Sequence, residues 1–264
     1  MNRLRKRMAE LRDAGGTALV IYLTQGDPSP QETTDIVIAA ADAGADVIEL
    51  GVPFSDPNAD GVVIQEAMQR ALAAGGGLMS ALATVRAVRD RGCEVPIVLF
   101  GYYNPIFVHG VERFAADAAD AGIDGVLTVD LPIEELDELR APLHQHHVEV
   151  VPLVAPTSGN ERIAKLAAID PAFVYYVSMT GVTGAAFKGA AGGAERVARV
   201  KVATGAPVCV GFGIKTPDDA RSVAEYADGV VVGSAVVRQI QQAGAGAAAG
   251  AVAELVSALK AAIS

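Results

Sequence analysis

The stretch Asp46-Val-Ile-Glu-Leu50 decides the fold. It is a short, nearly apolar run without polar alternation, which is typical of a parallel strand covered on both faces. A helical stretch ending at Ala43-Gly44 precedes it, and another helical stretch begins near Val62. A strand that lies between helices in this way predicts a βαβ unit.

The same unit repeats along the whole chain of 264 residues. Eight short β-branched runs alternate with Ala-rich helical stretches: Ala18–Leu23, Asp46–Leu50, Pro96–Phe100, Gly125–Val129, Val148–Val154, Phe173–Val177, Pro207–Val210 and Gly229–Val232. Eight such units predict an α/β protein, a single (β/α)₈ TIM barrel over residues 1–264. An open doubly wound sheet is the alternative, but no G-x-G-x-x-G motif follows the first run.

Two helices are expected outside the regular repeat. Leu4, Met8 and Leu11 have helical spacing and predict an amphipathic N-terminal helix. A further helical stretch, from about Leu78 to Arg91, lies between the second and third runs. We therefore expect a barrel with an N-terminal helix and an extra helix between strands 2 and 3.

Two segments are rich in glycine and alanine. Ser178–Gly193 holds five glycines after the sixth run, and its length and composition predict a mobile lid. Ala243–Gly250 is predicted to be a loose surface connection before a final helix that ends near Ile263.

Composition narrows the classes of partner. The net charge of −10 argues against nucleic acid and anionic membranes. No targeting segment is visible, and no apolar run has the length of a membrane span. The two cysteines, Cys93 and Cys209, are expected to be buried free thiols. A reducing, cytoplasmic location fits this cysteine usage.

A carboxylate inside the second run is the first candidate for chemistry. The active site of a (β/α)₈ barrel lies at the carboxyl ends of its strands. Strand alternation places Glu49 on one face with Val47, away from Ile48 and Leu50. Desolvation there would raise the pKa of Glu49 toward that of a proton shuttle. A structural ion pair with a neighbouring strand is the alternative.

The following loop supplies a second acid, Asp60. Two carboxylates at one barrel mouth can take separate acid and base roles when their surroundings differ. Asp56 competes for this role, although Ser55-Asp56-Pro57 is typical of a turn in which the aspartate binds backbone.

Glycines predict a phosphate site near the ends of the last two strands. The seventh run leads into Gly211-Phe212-Gly213 and the eighth into Gly233-Ser234. Barrels often bind phosphate there, through backbone N–H groups and a helix N-terminus. Gly184 could complete the ring of donors, and Lys215 could assist. The alternative for Gly211 and Gly213 is that they only form a tight turn. The alternative for Lys215 is a solvated cap residue.

A histidine cluster, His144-Gln145-His146-His147, precedes the fifth run. This position places it at the bottom of the barrel, away from the expected site. We therefore expect no metal site, because a catalytic metal needs ligands that converge on an open position.

Longer motifs resemble one family. Ile48-Glu-Leu-Gly-Val-Pro-Phe-Ser-Asp-Pro-Asn-Ala-Asp-Gly61 is similar to the signature of the tryptophan synthase alpha family. Further similar segments are Thr24-Gln-Gly-Asp-Pro28, Phe100-Gly-Tyr-Tyr-Asn-Pro105, Ala155-Pro-Thr157, Thr180-Gly-Val-Thr-Gly184, Gly211-Phe-Gly-Ile214 and Asp228-Gly-Val-Val-Val-Gly-Ser234. They extend from the first strand to the eighth, so the resemblance covers nearly the whole chain.

The resemblance implies a carbon–carbon lyase of tryptophan biosynthesis. The implied reaction is retro-aldol cleavage of indole-3-glycerol phosphate to indole and glyceraldehyde 3-phosphate, with Glu49 and Asp60 as the catalytic pair. The expected substrate-binding residues are Tyr22, Phe100, Tyr102, Leu127, Tyr175 and Thr183. The expected phosphate-binding residues are Gly184, Phe212, Gly213, Gly233 and Ser234. Thr183 is expected to orient Asp60 when the lid closes.

The resemblance also implies a partner. A beta subunit in an alpha2-beta2 complex would carry pyridoxal phosphate, and this chain would need no cofactor. Four positions depart from the family pattern, namely Asn58, Val62, Thr128 and Met179, and they concern partner coupling and lid closure rather than the chemistry. A free-standing lyase and a weakly active chain that mainly activates a beta subunit remain alternatives. Another barrel enzyme, such as a sugar-phosphate isomerase, is open on fold alone.

Overall fold

The strands form a parallel sheet that curls into a barrel. The computed structural model describes residues 2–177, 192–211 and 213–264. Within them lie nine strands: β1 Ala18–Thr24, β2 Val47–Gly51, β3 Ile97–Gly101, β4 Gly125–Thr128, β5 Glu149–Val150, β6 Leu153–Val154, β7 Val174–Val177, β8 Val208–Gly211 and β9 Gly229–Val232. All neighbouring strands are parallel, in the order β5-β4-β3-β2-β1-β9-β8-β7-β6.

The two ends of this order are halves of one predicted run. β5 pairs with β4, and β6 pairs with β7. Val151 and Pro152 separate the halves, and a proline has no N–H group for a sheet ladder. The main chain still bridges both neighbours, because Val151 N donates to Val126 O at 2.9 Å and Tyr175 N donates to Pro152 O at 2.9 Å. The predicted eight-run TIM barrel is therefore confirmed, with its fifth strand divided into two short strands.

Helices cover the outside of the sheet. In the described residues they are α1 Arg3–Asp13, α2 Pro30–Asp42, α3 Val62–Ala73, α4 Leu78–Asp90, α5 Tyr103–His109, α6 Val111–Ala121, α7 Asp137–Gln145, α8 Asn160–Lys165, α9 Gly193–Thr204, α10 Pro217–Ala224, α11 Ser234–Ala243 and α12 Ala248–Ile263. A short 3₁₀ turn, Leu166–Ile169, follows α8. The N-terminal helix and the extra helix α4 lie where the sequence predicts them.

One predicted connection is shorter than expected. Ala243 ends α11, and Ala248 is fully buried as the first residue of α12, so the loose segment is only residues 244–247. Gly246 N also donates to Glu32 Oε2 at 2.7 Å. The Ala/Gly composition that suggested a loop instead allows the first turn of α12 to pack closely.

Two apolar layers build the core. The outer layer fills the space between the sheet and the helices, with Ile48 and Leu50 among its members. The inner layer fills the barrel, and the buried side chains of Leu4 and Met8 from α1 join it. α1 thus closes one end of the barrel and leaves the carboxyl ends of the strands for the site.

Two predictions about the whole chain have different outcomes. Among the described residues, no single helix has the length and hydropathy to span a membrane. Helices α3 and α4 have the required length and hydropathy only when they are taken together, and they are bent by 88° relative to each other. The extent of one domain over residues 1–264 stays a prediction.

Candidate active site

Glu49 projects into the barrel from the middle of β2. It is aligned with Tyr22 of β1 and Val98 of β3, and its side chain is fully buried. Within the described part of the chain, neither carboxylate oxygen has a hydrogen-bond partner. Because burial without a partner disfavours the charged form, the pKa of Glu49 rises to about 8. The structural ion pair considered from the sequence is not found among these residues.

Asp60 lies in the loop between β2 and α3 and is half-buried. Tyr102 Oη donates to Asp60 Oδ2 at 2.7 Å, and the same hydroxyl accepts a bond from Ala59 N at 2.9 Å. Gln65 Nε2 donates to Asp60 O at 2.8 Å. Burial raises the pKa of Asp60, and the bond from Tyr102 opposes that rise.

Asp56, the competing acid, has a different environment. It is exposed and accepts a hydrogen bond from the neighbouring Ser55 hydroxyl. The contact is local, but its donor is a side-chain hydroxyl and not the backbone group that the sequence suggests. The structure therefore places Asp60, and not Asp56, against the buried interior.

Three of the residues expected to bind substrate, Tyr22, Phe100 and Tyr175, form an aromatic wall near these acids. Tyr22 and Phe100 meet edge to face with ring centroids 5.3 Å apart, and Phe100 and Tyr175 lie 6.3 Å apart. Leu127 belongs to the same inner layer. Burial and the nearby carboxylates of Glu49 and Asp60 raise the pKa values of Tyr22 and Tyr175. The two acids and the wall therefore share one barrel mouth.

Glycines make room for this wall. A Cβ atom at Gly51 would lie 2.2 Å from Tyr22 Oη, and one at Gly211 would lie 2.0 Å from Tyr175 Oη. Both distances are far below van der Waals contact. Each glycine at a strand end therefore lets a tyrosine ring from the adjacent strand lie across it.

The predicted phosphate site is partly described. Gly233 precedes α11 and Ser234 begins it, and no described side chain caps this helix N-terminus. A Cβ atom at Gly233 would lie 3.4 Å from Tyr22 Cβ, so the helix terminus adjoins the aromatic wall. Gly213 has a φ of +84°, which favours glycine. Thr183, Gly184 and Phe212, with nearly all of the predicted lid, lie outside the described residues.

A cavity of about 290 Å³ lies beside the mouth, between the ends of β4 and β6, the loop that leads from β4 to α7, and helix α8. Val129 and Leu153 line it and also pack against the inner layer. Neither Glu49 nor Asp60 lines it. The cavity is thus a neighbour of the catalytic candidates and not their centre.

Two features of the site were not foreseen. Tyr102 was expected only to bind substrate, but its hydroxyl binds Asp60 and Ala59. Gln65 was not singled out from the sequence. Both contacts join residues that propensity and strand alternation do not relate. For metals, the described residues contain no cluster of three or more His, Cys, Asp or Glu side chains that could hold an ion.

Comparison with known proteins gives a consistent result. The family model described as tryptophan synthase alpha chain matches residues 8–264. A tryptophan synthase alpha chain of Geobacter sulfurreducens is 52% identical over 263 residues, which are 100% of this chain and 99% of the relative. The alpha chain of Geotalea daltonii is 50% identical over the same coverage.

Solved structures agree with the sequence relatives. The alpha subunit of tryptophan synthase from Legionella pneumophila superposes with a TM-score of 0.90 at 38% identity, covering 100% of this chain and 98% of that chain. A chain of the Mycobacterium tuberculosis tryptophan synthase, in its aminoacrylate-bound form, gives a TM-score of 0.88 at 33% identity with 100% coverage of both chains.

Proposed function

Since the chain belongs to the tryptophan synthase alpha chain family and takes the alpha-subunit role in tryptophan biosynthesis, we propose that it is a lyase for indole-3-glycerol phosphate. The products are indole and glyceraldehyde 3-phosphate. Glu49 and Asp60 carry the reaction, and the aromatic wall holds the indole ring.

Proton transfers at two substrate atoms account for the cleavage. Protonated Glu49 gives its proton to C3 of the indole ring, which places positive charge on the ring nitrogen. Asp60 accepts a hydrogen bond from the ring N–H and stabilises that charge. The Glu49 carboxylate then takes the proton of the glycerol hydroxyl next to the ring. The carbon–carbon bond breaks, its electron pair neutralises the ring, and Glu49 is protonated again.

The environment of Glu49 is the observation that carries this proposal. A pKa of about 8 leaves much of the side chain protonated near neutral pH, so the residue can act first as an acid and then as a base. Asp60 has a hydrogen-bond donor on Oδ2 that favours its charged form. The two acids are therefore suited to different tasks.

Removing either carboxylate tests the proposal. Glu49→Gln and Asp60→Asn should each lower the rate of indole release by about 10²–10⁴-fold, the usual contribution of a positioned acid or base. Asp56→Asn is the matched control and should keep near-normal turnover in the isolated chain, where no beta subunit is bound. Wild-type turnover in Glu49→Gln or Asp60→Asn would remove that residue from the mechanism.

The phosphate of the substrate is assigned to the N-terminus of α11. The N–H groups of its first turn lack acceptors inside the helix, and the helix dipole favours an anion there by about 0.3–1 kcal/mol. Gly233 and Ser234 form this terminus, and Gly184, Phe212 and Gly213 are expected to join them. Ser234→Asp should therefore raise KM more than it lowers kcat, through like-charge repulsion. A KM equal to that of wild type would argue against this site.

A beta subunit completes the proposed assembly, in an alpha2-beta2 complex that carries pyridoxal phosphate on the partner. We assign no cofactor to this chain, because an acid and a base suffice for the steps above. The Pro53–Asn58 loop, which leads to Asp60, is the proposed docking segment, and the cytoplasm is the proposed location.

Indole release by the chain alone and with saturating beta subunit tests the coupling between the two subunits. If the isolated chain is fully active and the partner does not change its rate, the free-standing lyase is favoured. If the isolated chain is nearly inactive but stimulates the reaction of the beta subunit, the chain that mainly activates a beta subunit is favoured.

A further inference from the structure

We infer that Tyr102 is a positioning residue that holds Asp60 in its reactive orientation before substrate binds. The inference rests on the role proposed above for Asp60 and deepens it. It differs from a contact between Tyr102 and the indole ring, because the phenol would act on the reaction through the carboxylate.

One hydroxyl group fixes two consecutive residues of the β2–α3 loop. Tyr102 Oη donates to Asp60 Oδ2 at 2.7 Å and accepts from Ala59 N at 2.9 Å. A phenol has a single proton to donate, and here that proton is committed to Asp60. Within the described residues, Asp60 Oδ1 accepts no hydrogen bond, so none of these residues competes with the ring N–H of the substrate for this oxygen.

The phenol is itself held by the scaffold. Tyr102 directly follows β3 and directly precedes α5. Its chain neighbours are anchored on both sides, since Val129 N donates to Gly101 O at 2.9 Å and Tyr103 N donates to Asp130 Oδ1 at 2.8 Å. The rings of Tyr102 and Phe54 are stacked with centroids 5.1 Å apart. The carboxylate in an irregular loop is thus fastened to a fixed point of the barrel.

Charge favours the same arrangement. Burial and the adjacent carboxylate raise the pKa of Tyr102 above its ordinary value, so the phenol remains a proton donor at working pH. Burial raises the pKa of Asp60, and the bond from Tyr102 lowers it. Loss of the hydroxyl should therefore both free the side chain of Asp60 and make it harder to ionise.

Tyr102→Phe is the direct test, because it keeps the ring and its stacking and removes the hydroxyl. We expect kcat to fall about 10–100-fold, the scale on which small displacements of reacting groups act, with KM changed by less than about threefold. The acidic limb of the kcat/KM profile should move to higher pH. Tyr103→Phe is the matched control, since that hydroxyl makes no bond to Asp60, and both its kcat and its pH profile should equal those of wild type.

A double-mutant cycle separates positioning from general damage. In the Asp60→Asn background, Tyr102→Phe should have little further effect on the residual rate, because its target is gone. Equal losses in both backgrounds, a rise in KM alone, or an unchanged pH profile would each overturn the inference. If Asp60→Asn itself keeps full activity, the proposed function fails. If Asp60→Asn is inactive while Tyr102→Phe matches wild type, only the positioning role fails.

Discussion

At the scale of single residues, the fold removes the carboxyl group of Glu49 from water. A fully buried carboxyl group without a described partner is costly to ionise. The unfolded chain has no such cost, so it releases the proton at lower pH than the folded chain does. This residue should therefore lower stability as the pH rises, in exchange for its proposed role.

This imbalance predicts that Glu49→Gln is more stable than wild type at pH 8. The folded pKa is about 8 and the ordinary value is 4.5, so the difference should be absent below pH 4.5, grow between the two values and then level off. The gain is at most a few kcal/mol, at about 1.4 kcal/mol for each pKa unit. Urea unfolding at several pH values measures it, with Glu66→Gln on the exposed face of α3 as control. A variant that is less stable at pH 8 would indicate that the carboxylate is paired.

The sequence identifies this residue well but not its surroundings. Strand alternation and the barrel rule suffice to place Glu49 in the mouth. The bond between Tyr102 and Asp60 joins residues 42 positions apart through a loop whose path no periodicity describes. The position of an irregular loop depends on particular side-chain contacts, so it became visible only in three dimensions.

At the scale of elements, three aspartates join neighbouring strands at their amino ends. Asp46, Asp124 and Asp228 each directly precede a strand. Each accepts the backbone N–H of a residue in an adjacent strand: Leu19 at 2.6 Å, Ile97 at 2.9 Å and Val208 at 2.8 Å. Each also has at least one cation, such as Arg89 at 2.8 Å from Asp124. The same side-chain bridge thus recurs around the barrel.

Asp124→Ala should lower the free energy of unfolding by about 3–5 kcal/mol, because it leaves the largely buried Arg89 guanidinium without its carboxylate. Asp35→Ala is the control, since its pair with Arg91 is exposed on both sides and such pairs contribute about 0–1 kcal/mol. Denaturant unfolding of both variants gives the comparison. Similar losses would mean that burial does not set the contribution of these pairs.

The helices and strands were easier to predict from the sequence than the residues at which they begin and end. Apolar runs without alternation identify every strand, but the proline at position 152 divides one of them. The short helix α5 was missed because Tyr-Tyr-Asn-Pro has turn composition. The departure at Thr128 includes the next residue, because Thr128-Val129 stands where Val-Pro is common in the family. It has a structural effect: Val129 N donates to Gly101 O at 2.9 Å, a bond that a proline at this position would lack.

At the scale of the whole molecule, stability and chemistry lie at opposite ends of the barrel. Leu4 is fully buried in the inner layer. Arg3, Arg5 and Arg7 on α1 form ion pairs with Asp124, Glu149 and Asp46 respectively. α1 therefore closes one end of the barrel, where ion pairs hold its edge and apolar contacts hold its buried face.

Leu4→Ala should cost about 2–5 kcal/mol of stability, as buried leucine truncations do, and should leave kcat and KM unchanged where the protein is folded. Leu72→Ala is the control, because Leu72 is 37% exposed and should cost much less. Thermal unfolding and steady-state kinetics on both variants provide the measurement. A change in KM under conditions where the variant is fully folded would indicate that α1 influences the active site.

The break in the fifth strand at Val151-Pro152 is the part of the barrel with the fewest paired residues. Only two residue pairs join β5 to β4 and two join β6 to β7, whereas β1 and β2 share five. Fluctuations of such a barrel should be largest at this break, whereas the opposite side, formed by β9, β1 and β2, should keep its shape. The break borders the cavity beside the mouth, and the opposite side carries Glu49. These fluctuations would thus change the space around the aromatic wall and leave Glu49 in place.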